Sequence, residues 1–103
     1  MGSAIKQPKI KTSEKDFRQM VCELARLLKW EYYFTWLSIH SPSGFLDLVL
    51  VKPPQIIFVE LKTDVGKLSS NQKRWIELLE ACGCDVRIWR PMMWDEIVDR
   101  LKR

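Results

Sequence analysis

The chain has 103 residues, is 47% hydrophobic and carries a formal charge of +4, which suits one compact domain with a single core and leaves no room for a second. Its apolar stretches fall far short of the roughly 20 residues needed to cross a bilayer, and the basic opening from Met1 to Lys11 lacks a signal peptide's apolar centre, so a cytoplasmic protein is expected. Three cysteines, Cys22, Cys82 and Cys84, and the single histidine, His40, fit neither a disulfide framework nor a zinc site; core thiols and a surface histidine are expected, and any metal should be a hard cation on oxygen ligands.

Residues 1–12 read as a loose basic arm, with Lys6, Lys9 and Lys11 ahead of the first acid, Glu14; the chain closes on Arg100-Leu101-Lys102-Arg103. Basic ends suit a polyanionic partner as well as plain solubility. The single domain then runs over 13–103. A first helix starts at Ser13, which with Asp16 reads as a capping box, and runs to about Lys29, its apolar stripe being Phe17, Met20, Val21, Leu24 and Leu28. Glu14, one turn before Phe17, falls at the end of the buried face. Trp30 to Ile39 is dense in aromatics and reads as a strand.

After the loop His40-Ser41-Pro42-Ser43-Gly44 come a strand from Gly44 to Val51, the turn Lys52-Pro53-Pro54-Gln55 and a strand from Ile56 to Lys62, expected as an antiparallel pair. Both are apolar at nearly every residue, which implies cover on both faces of the sheet. Thr63 to Leu68 is a loop turning at Gly66. Ser69 with Gln72 makes a second capping box, Trp75, Ile76, Leu78, Leu79 and Cys82 form the stripe of a second helix, and Gly83 ends it. Asp85 to Trp89 is a strand that returns to the sheet through this crossover helix, hence parallel. Pro91 breaks the chain, and Trp94, Ile97, Val98 and Leu101 mark a third helix. The order is α-β-β-β-α-β-α, a mixed sheet with helices on both sides.

Within the apolar strands stand three charged exceptions. Side chains alternate along a strand, so Glu60 and Lys62 share one face about 6.6 Å apart, and the hairpin brings Asp47 to the same end of that face. Two carboxylates and an ammonium so placed are what is needed to hold a divalent cation and activate water against a phosphodiester. A Glu-x-Lys triplet alone carries little, since about 0.4 arise by chance in a chain this long; its setting carries the reading. A purely structural ion-pair network is the alternative, but desolvation makes such networks poor stabilisers. Gln72 serves as a cap, a site residue or both. Trp30 and Trp36 are core residues or, alternatively, platforms for a stacked nucleotide.

In order and spacing, Gly44-Phe45-Leu46-Asp47-Leu48, Val59-Glu60-Leu61-Lys62-Thr63 and Gly66-Lys67-Leu68-Ser69-Ser70-Asn71-Gln72 resemble the VRR-NUC (virus-type replication-repair nuclease) branch of the PD-(D/E)xK superfamily. The resemblance runs from about Glu14 to Pro91 and includes Leu79-Glu80-Ala81-Cys82-Gly83, where the family often has Leu-x-x-x-Gly. One departure is Leu46, where the family usually has proline; that proline shapes backbone and does no chemistry.

The resemblance implies a restriction-endonuclease-like αβββαβ core, here with a C-terminal helix added. It further implies Mg²⁺ or Mn²⁺ held by Asp47, Glu60 and the carbonyl of Leu61, with Lys62 acting on the attacking water and the scissile phosphate, Gln72 orienting water or phosphate, and Glu14 completing the outer shell. Stand-alone members, often from phages and bacteria, are homodimeric structure-directed endonucleases of branched DNA such as four-way (Holliday) junctions, with a place in DNA repair. Lys6, Lys9, Lys11, Ser41, Ser43, Lys67 and Lys73 are the side chains expected against nucleic acid. A non-catalytic nucleic-acid-binding module, a protein-interaction domain and a nuclease of flaps or nicks stay open as alternatives.

Overall fold

The computed structural model describes residues 11–35 and 40–103; Lys6, Lys9, Trp36 and Ile39 lie outside them, as does most of the expected basic arm. The first helix, α1 (Glu14–Leu27), begins where Ser13 accepts a hydrogen bond from the Asp16 amide at 3.1 Å. Only this half of the expected capping box forms, because aspartate is one methylene shorter than the glutamate or glutamine that reaches back to the cap amide. Phe17, Val21, Cys22, Leu24 and Ala25 bury the inner face, while Glu14 is exposed rather than at the end of the buried stripe.

The strands are β1 (Glu31–Phe34), β2 (Leu48–Lys52), β3 (Gln55–Leu61) and β4 (Asp85–Trp89), in spatial order β1-β2-β3-β4. The first two pairings are antiparallel and β3–β4 is parallel, so the hairpin and the crossover both form as expected. The strands are shorter than the apolar runs. Trp30 precedes β1 as a buried core residue whose Nε1 donates to the Leu101 carbonyl at 2.8 Å, with Lys52 and Arg100 each 5.7 Å from the ring centroid. A ring so enclosed is no platform for a nucleotide. Asp47 lies just before β2 and Lys62 just after β3, at the same end of the sheet.

Leu48 and Leu50 of β2 and Ile57, Val59 and Leu61 of β3 project to one face and are fully buried in a core with Phe17, Val21 and Leu24 of α1 and with Ile97 and Leu101 of α3 (Trp94–Lys102), which follows the 3-10 turn Pro91–Met93. At the far end of the sheet Arg100 donates to Gln55 at 2.8 Å and to Asp85 at 3.0 Å, tying α3 to β3 and β4. The opposite face is covered by α2 (Ser70–Ala81). Here the expectation of full cover fails: Ile76 is the buried residue of α2, Ile56 is 47% exposed and Leu78 43% exposed. One amphipathic helix spans too little of four strands to seal them. The thiols divide likewise, with Cys22 buried, Cys84 half-buried and Cys82 exposed; none forms a disulfide, and burial pushes the Cys22 thiol up to about 11. His40 is exposed. No helix among the described residues is long and apolar enough to cross a membrane.

Two glycines have left-handed backbones, Gly44 at φ 92° and Gly83 at φ 82°. Gly83 closes α2, donating its amide to the Glu80 carbonyl at 2.9 Å. Gly44 does more: a Cβ there would lie 2.6 Å from the Asn71 carbonyl carbon, so the segment leading to Asp47 touches the first turn of α2 backbone to backbone. At Gly83 nothing lies within 4 Å of such a Cβ. Gly83→Ala should therefore cost only left-handed strain, about 1–2 kcal/mol in urea unfolding, and Gly44→Ala should cost at least about 1 kcal/mol more. Equal losses would contradict the close approach at Asn71.

Candidate active site

Asp47 is fixed from two sides. Its carbonyl accepts from the Thr35 amide at 3.1 Å, extending the β1–β2 ladder by one rung, and its Oδ2 accepts from the Leu61 amide at 2.9 Å. The carboxylate is thereby held across the end of the sheet against the last residue of β3. Glu60, the neighbour of Leu61, projects to the α2 face and is 1% exposed. Its Oε2 accepts from Gln72 Nε2 at 2.9 Å and lies 4.0 Å from Lys62 Nζ, itself half-buried. No donor reaches Glu60 Oε1, although that atom is buried.

Gln72 caps α2 and also touches Glu60. The Ser69 amide donates to its Oε1 at 2.8 Å while the Gln72 amide donates to Ser69 Oγ at 3.1 Å, a complete capping box. The same side-chain amide has its NH₂ left over, and that group donates to Glu60. Capping thus fixes which end of the amide faces the acid.

The electrostatics follow from the packing. Burial and the adjacent Asp47 charge push the Glu60 carboxyl from its ordinary 4.5 up to about 8; a hydrogen bond shared with Asp47 adds to the rise, Lys62 works against it, and Glu14 adds a smaller push. Glu14 therefore acts on Glu60 through its charge, from the first turn of α1. Ser43 Oγ accepts from Asn71 Nδ2 at 2.7 Å, fastening the Asp47 loop to α2. Ser41, Lys11, Lys67 and Lys73 are exposed around this end of the molecule, and Lys11, Thr12 and Ser13 face Thr63, Asp64 and Val65 across a cleft of about 430 Å³.

Sequence reasoning missed Arg90. Its Nη1 donates to the carbonyls of Thr63 at 2.6 Å and Gly66 at 2.7 Å, while Asp64 accepts from the Met92 amide at 2.9 Å, so the loop between Lys62 and Ser69 is pinned to the end of β4. These contacts span more than twenty residues of sequence, and no local pattern announces them. Asn71 was missed too, although it stands beside Gln72 in the segment that carries the family resemblance.

The donor set suits a hard divalent cation. Among the described residues no group of three or more His, Cys, Asp or Glu side chains converges, so a cation beside Asp47 and Glu60 would complete its shell with backbone carbonyl oxygen, for which Leu61 is the candidate, and water. Such an ion would relieve both the buried, unpartnered Oε1 and the destabilised charge of Glu60.

A family model described as the VRR-NUC domain matches residues 9–92. A solved structure described as a VRR_NUC domain superposes with a TM-score of 0.71 at 25% identity, covering 84% of this chain and 94% of that one. No curated protein matches the chain. With its helix, three strands, helix, strand and C-terminal helix around a mixed sheet, and with the family model spanning most of its length, the chain belongs to the VRR-NUC domain family, and a PD-(D/E)xK nuclease-type function is implied.

Proposed function

We propose that this chain is an Mg²⁺- or Mn²⁺-dependent endonuclease that hydrolyses phosphodiester bonds in DNA, with Asp47, Glu60 and Lys62 as its catalytic set. The observation that carries the reading is the buried Glu60 carboxylate, paired with Asp47 and left with one oxygen without a donor. Asp47, Glu60 and the Leu61 carbonyl would hold the cation. When bound, it supplies charge neutralisation at the scissile phosphate and lowers the pKa of water.

The protein's own groups do the positioning. The Leu61 amide fixes Asp47 Oδ2, and Gln72 fixes Glu60 Oε2, which would leave the other oxygen of each carboxylate for the cation. Lys62, 4.0 Å from Glu60, is placed to stabilise negative charge gathering on phosphate oxygens. Its proposed role is electrostatic stabilisation rather than proton abstraction. Water adds to phosphorus as the bond to the 3′ oxygen breaks, leaving a 3′-hydroxyl and a 5′-phosphate. Glu14 contributes charge at longer range.

Branched DNA is the proposed substrate, and a homodimer follows from it: one small subunit carries one such site and cuts one strand, whereas symmetric cleavage of a four-way junction needs two sites about a twofold axis. The half-covered sheet face, with Tyr33 69% and Ile56 47% exposed, supports a second copy packing there. Exposed Lys11, Lys67 and Lys73, with Ser41 and Ser43 and with Lys6 and Lys9 of the leading segment, would contact the DNA backbone.

Labelled linear, flapped and four-way DNAs incubated with Mg²⁺ or Mn²⁺ test this directly. The four-way form should be cut best, and Glu60→Gln and Lys62→Ala should each slow cleavage by at least about 100-fold while leaving DNA binding largely intact; undiminished cleavage in both variants would refute the assignment. Sedimentation as a monomer on DNA would favour flaps or nicks over junctions.

The raised Glu60 pKa also sets a stability profile. The folded protein retains a proton that the unfolded chain releases near 4.5, so this group's contribution is present at low pH and is lost as pH rises through about 8. The metal-free protein should therefore melt lower at about pH 9 than at about pH 6, and Glu60→Gln should flatten that fall. Mn²⁺ should raise the melting temperature most at the alkaline end, and Asp47→Ala should remove that rise. A wild-type profile identical to that of Glu60→Gln, or a full Mn²⁺ shift in Asp47→Ala, would contradict the account.

A further inference from the structure

Lys15, Arg18, Cys22 and Arg26 recur along α1 at intervals of three and four residues and so form one stripe on the helix. They face β1, where Tyr32 and Phe34 stack with centroids 6.3 Å apart at 22° between planes. Helix and strand enclose a groove of about 350 Å³. Its floor is aromatic: Tyr32 is 37% exposed, and the Arg18 guanidinium lies 5.3 Å from the Phe34 ring centroid. Its wall is cationic, with three basic side chains against the single acid Glu23.

The groove also has a direction. Thr12 and Ser13, immediately before α1, share a cleft with the loop that follows Lys62, so α1 starts at the catalytic end. The other end reaches the β2–β3 turn, where Lys52 donates to the Leu28 carbonyl at 3.2 Å. From Lys15 to Arg26 the helix rises about 16 Å, room for several nucleotides of one strand. Regularly spaced cations beside a stacked pair of rings match the general chemistry of single-strand recognition, phosphates on the basic groups and a base on an aromatic face.

We propose that the α1–β1 groove binds an unpaired DNA strand running away from the catalytic end, with its phosphates on Lys15, Arg18 and Arg26 and a base against Tyr32. This rests on the nuclease reading for its biological sense, yet it is tested without catalysis.

The probe is a fluorescein-labelled oligo-dT binding to full-length protein in EDTA, followed by anisotropy over a salt series. Arg18→Ala with Arg26→Ala should weaken binding at least about tenfold and flatten the slope of log K against log salt by about 1.4, two single-strand phosphate contacts' worth. Tyr32→Leu should weaken binding at least about fivefold with the slope unchanged, the loss expected of one stacked base. Arg18→Lys with Arg26→Lys should keep the slope, and Lys102→Ala with Arg103→Ala, which removes as much charge at the C-terminus from outside the residues that line the groove, should change binding less than twofold.

Wild-type-like binding and slope in the arginine-to-alanine double variant would overturn the groove, as would an equal loss in the C-terminal variant or failure of the wild type to bind. Circular dichroism of each variant separates lost binding from lost fold; should the alanine variant be misfolded, Arg18→Gln with Arg26→Gln is read by the same two criteria. Cleavage of branched DNA by wild type is scored separately. Its absence beside the predicted binding losses would remove the nuclease reading and leave the groove, and its presence beside unchanged binding in the arginine variant would do the reverse.

Discussion

A carboxylate sealed at the end of an apolar strand, beside a second carboxylate, is the constraint on which the site is built. Left alone, Glu60 is a poor thing to bury: its charge is desolvated, its neighbour repels it, and one oxygen has no donor. A structural role would call for a satisfied pair. Lys62 at 4.0 Å does not neutralise two acids. On the proposed reading a divalent cation would replace the proton that metal-free Glu60 retains, converting a folding liability into affinity for the ion.

Much of the surrounding architecture holds that pair in place. Asp47 is fastened by backbone groups of β1 and β3, Glu60 by Gln72, and Gln72 by its own helix cap. Gly44 lets the Asp47 segment press onto Asn71, and Arg90 ties down the loop between Lys62 and α2. At the opposite end of the sheet, Arg100, Asp85, Gln55 and Trp30 lock α3 to the strands. The ties that hold α3 and the candidate site thus lie at opposite ends of one sheet, and α1, which spans both, lines a groove with β1.

What was legible in the sequence is what local periodicity encodes. Alternation along β3 placed Glu60 and Lys62 together, the Pro-Pro turn returned β3 against β2, and Ser69 with Gln72 announced the α2 cap. Strand ends were less legible, because an apolar run does not show where a strand stops: Asp47 and Lys62 sit one residue beyond the ends of β2 and β3 rather than within them. Cover of the sheet was overestimated for the same reason, since apolar side chains on β2 and β3 do not reveal how far α2 extends over them. Arg90 left no trace, as its partners are carbonyls brought near by the β4 crossover. Nor did the α1–β1 groove, whose cations on a helix read as an ordinary solvated face until Tyr32 and Phe34 are seen beside them.

The central claim is that the acid pair is a cation site, and an anomalous difference map from a crystal soaked in Mn²⁺ addresses it most directly. The account predicts a peak at the carboxylates of Asp47 and Glu60, near the Leu61 carbonyl. An empty map there at saturating Mn²⁺, or a peak at other residues alone, would contradict it.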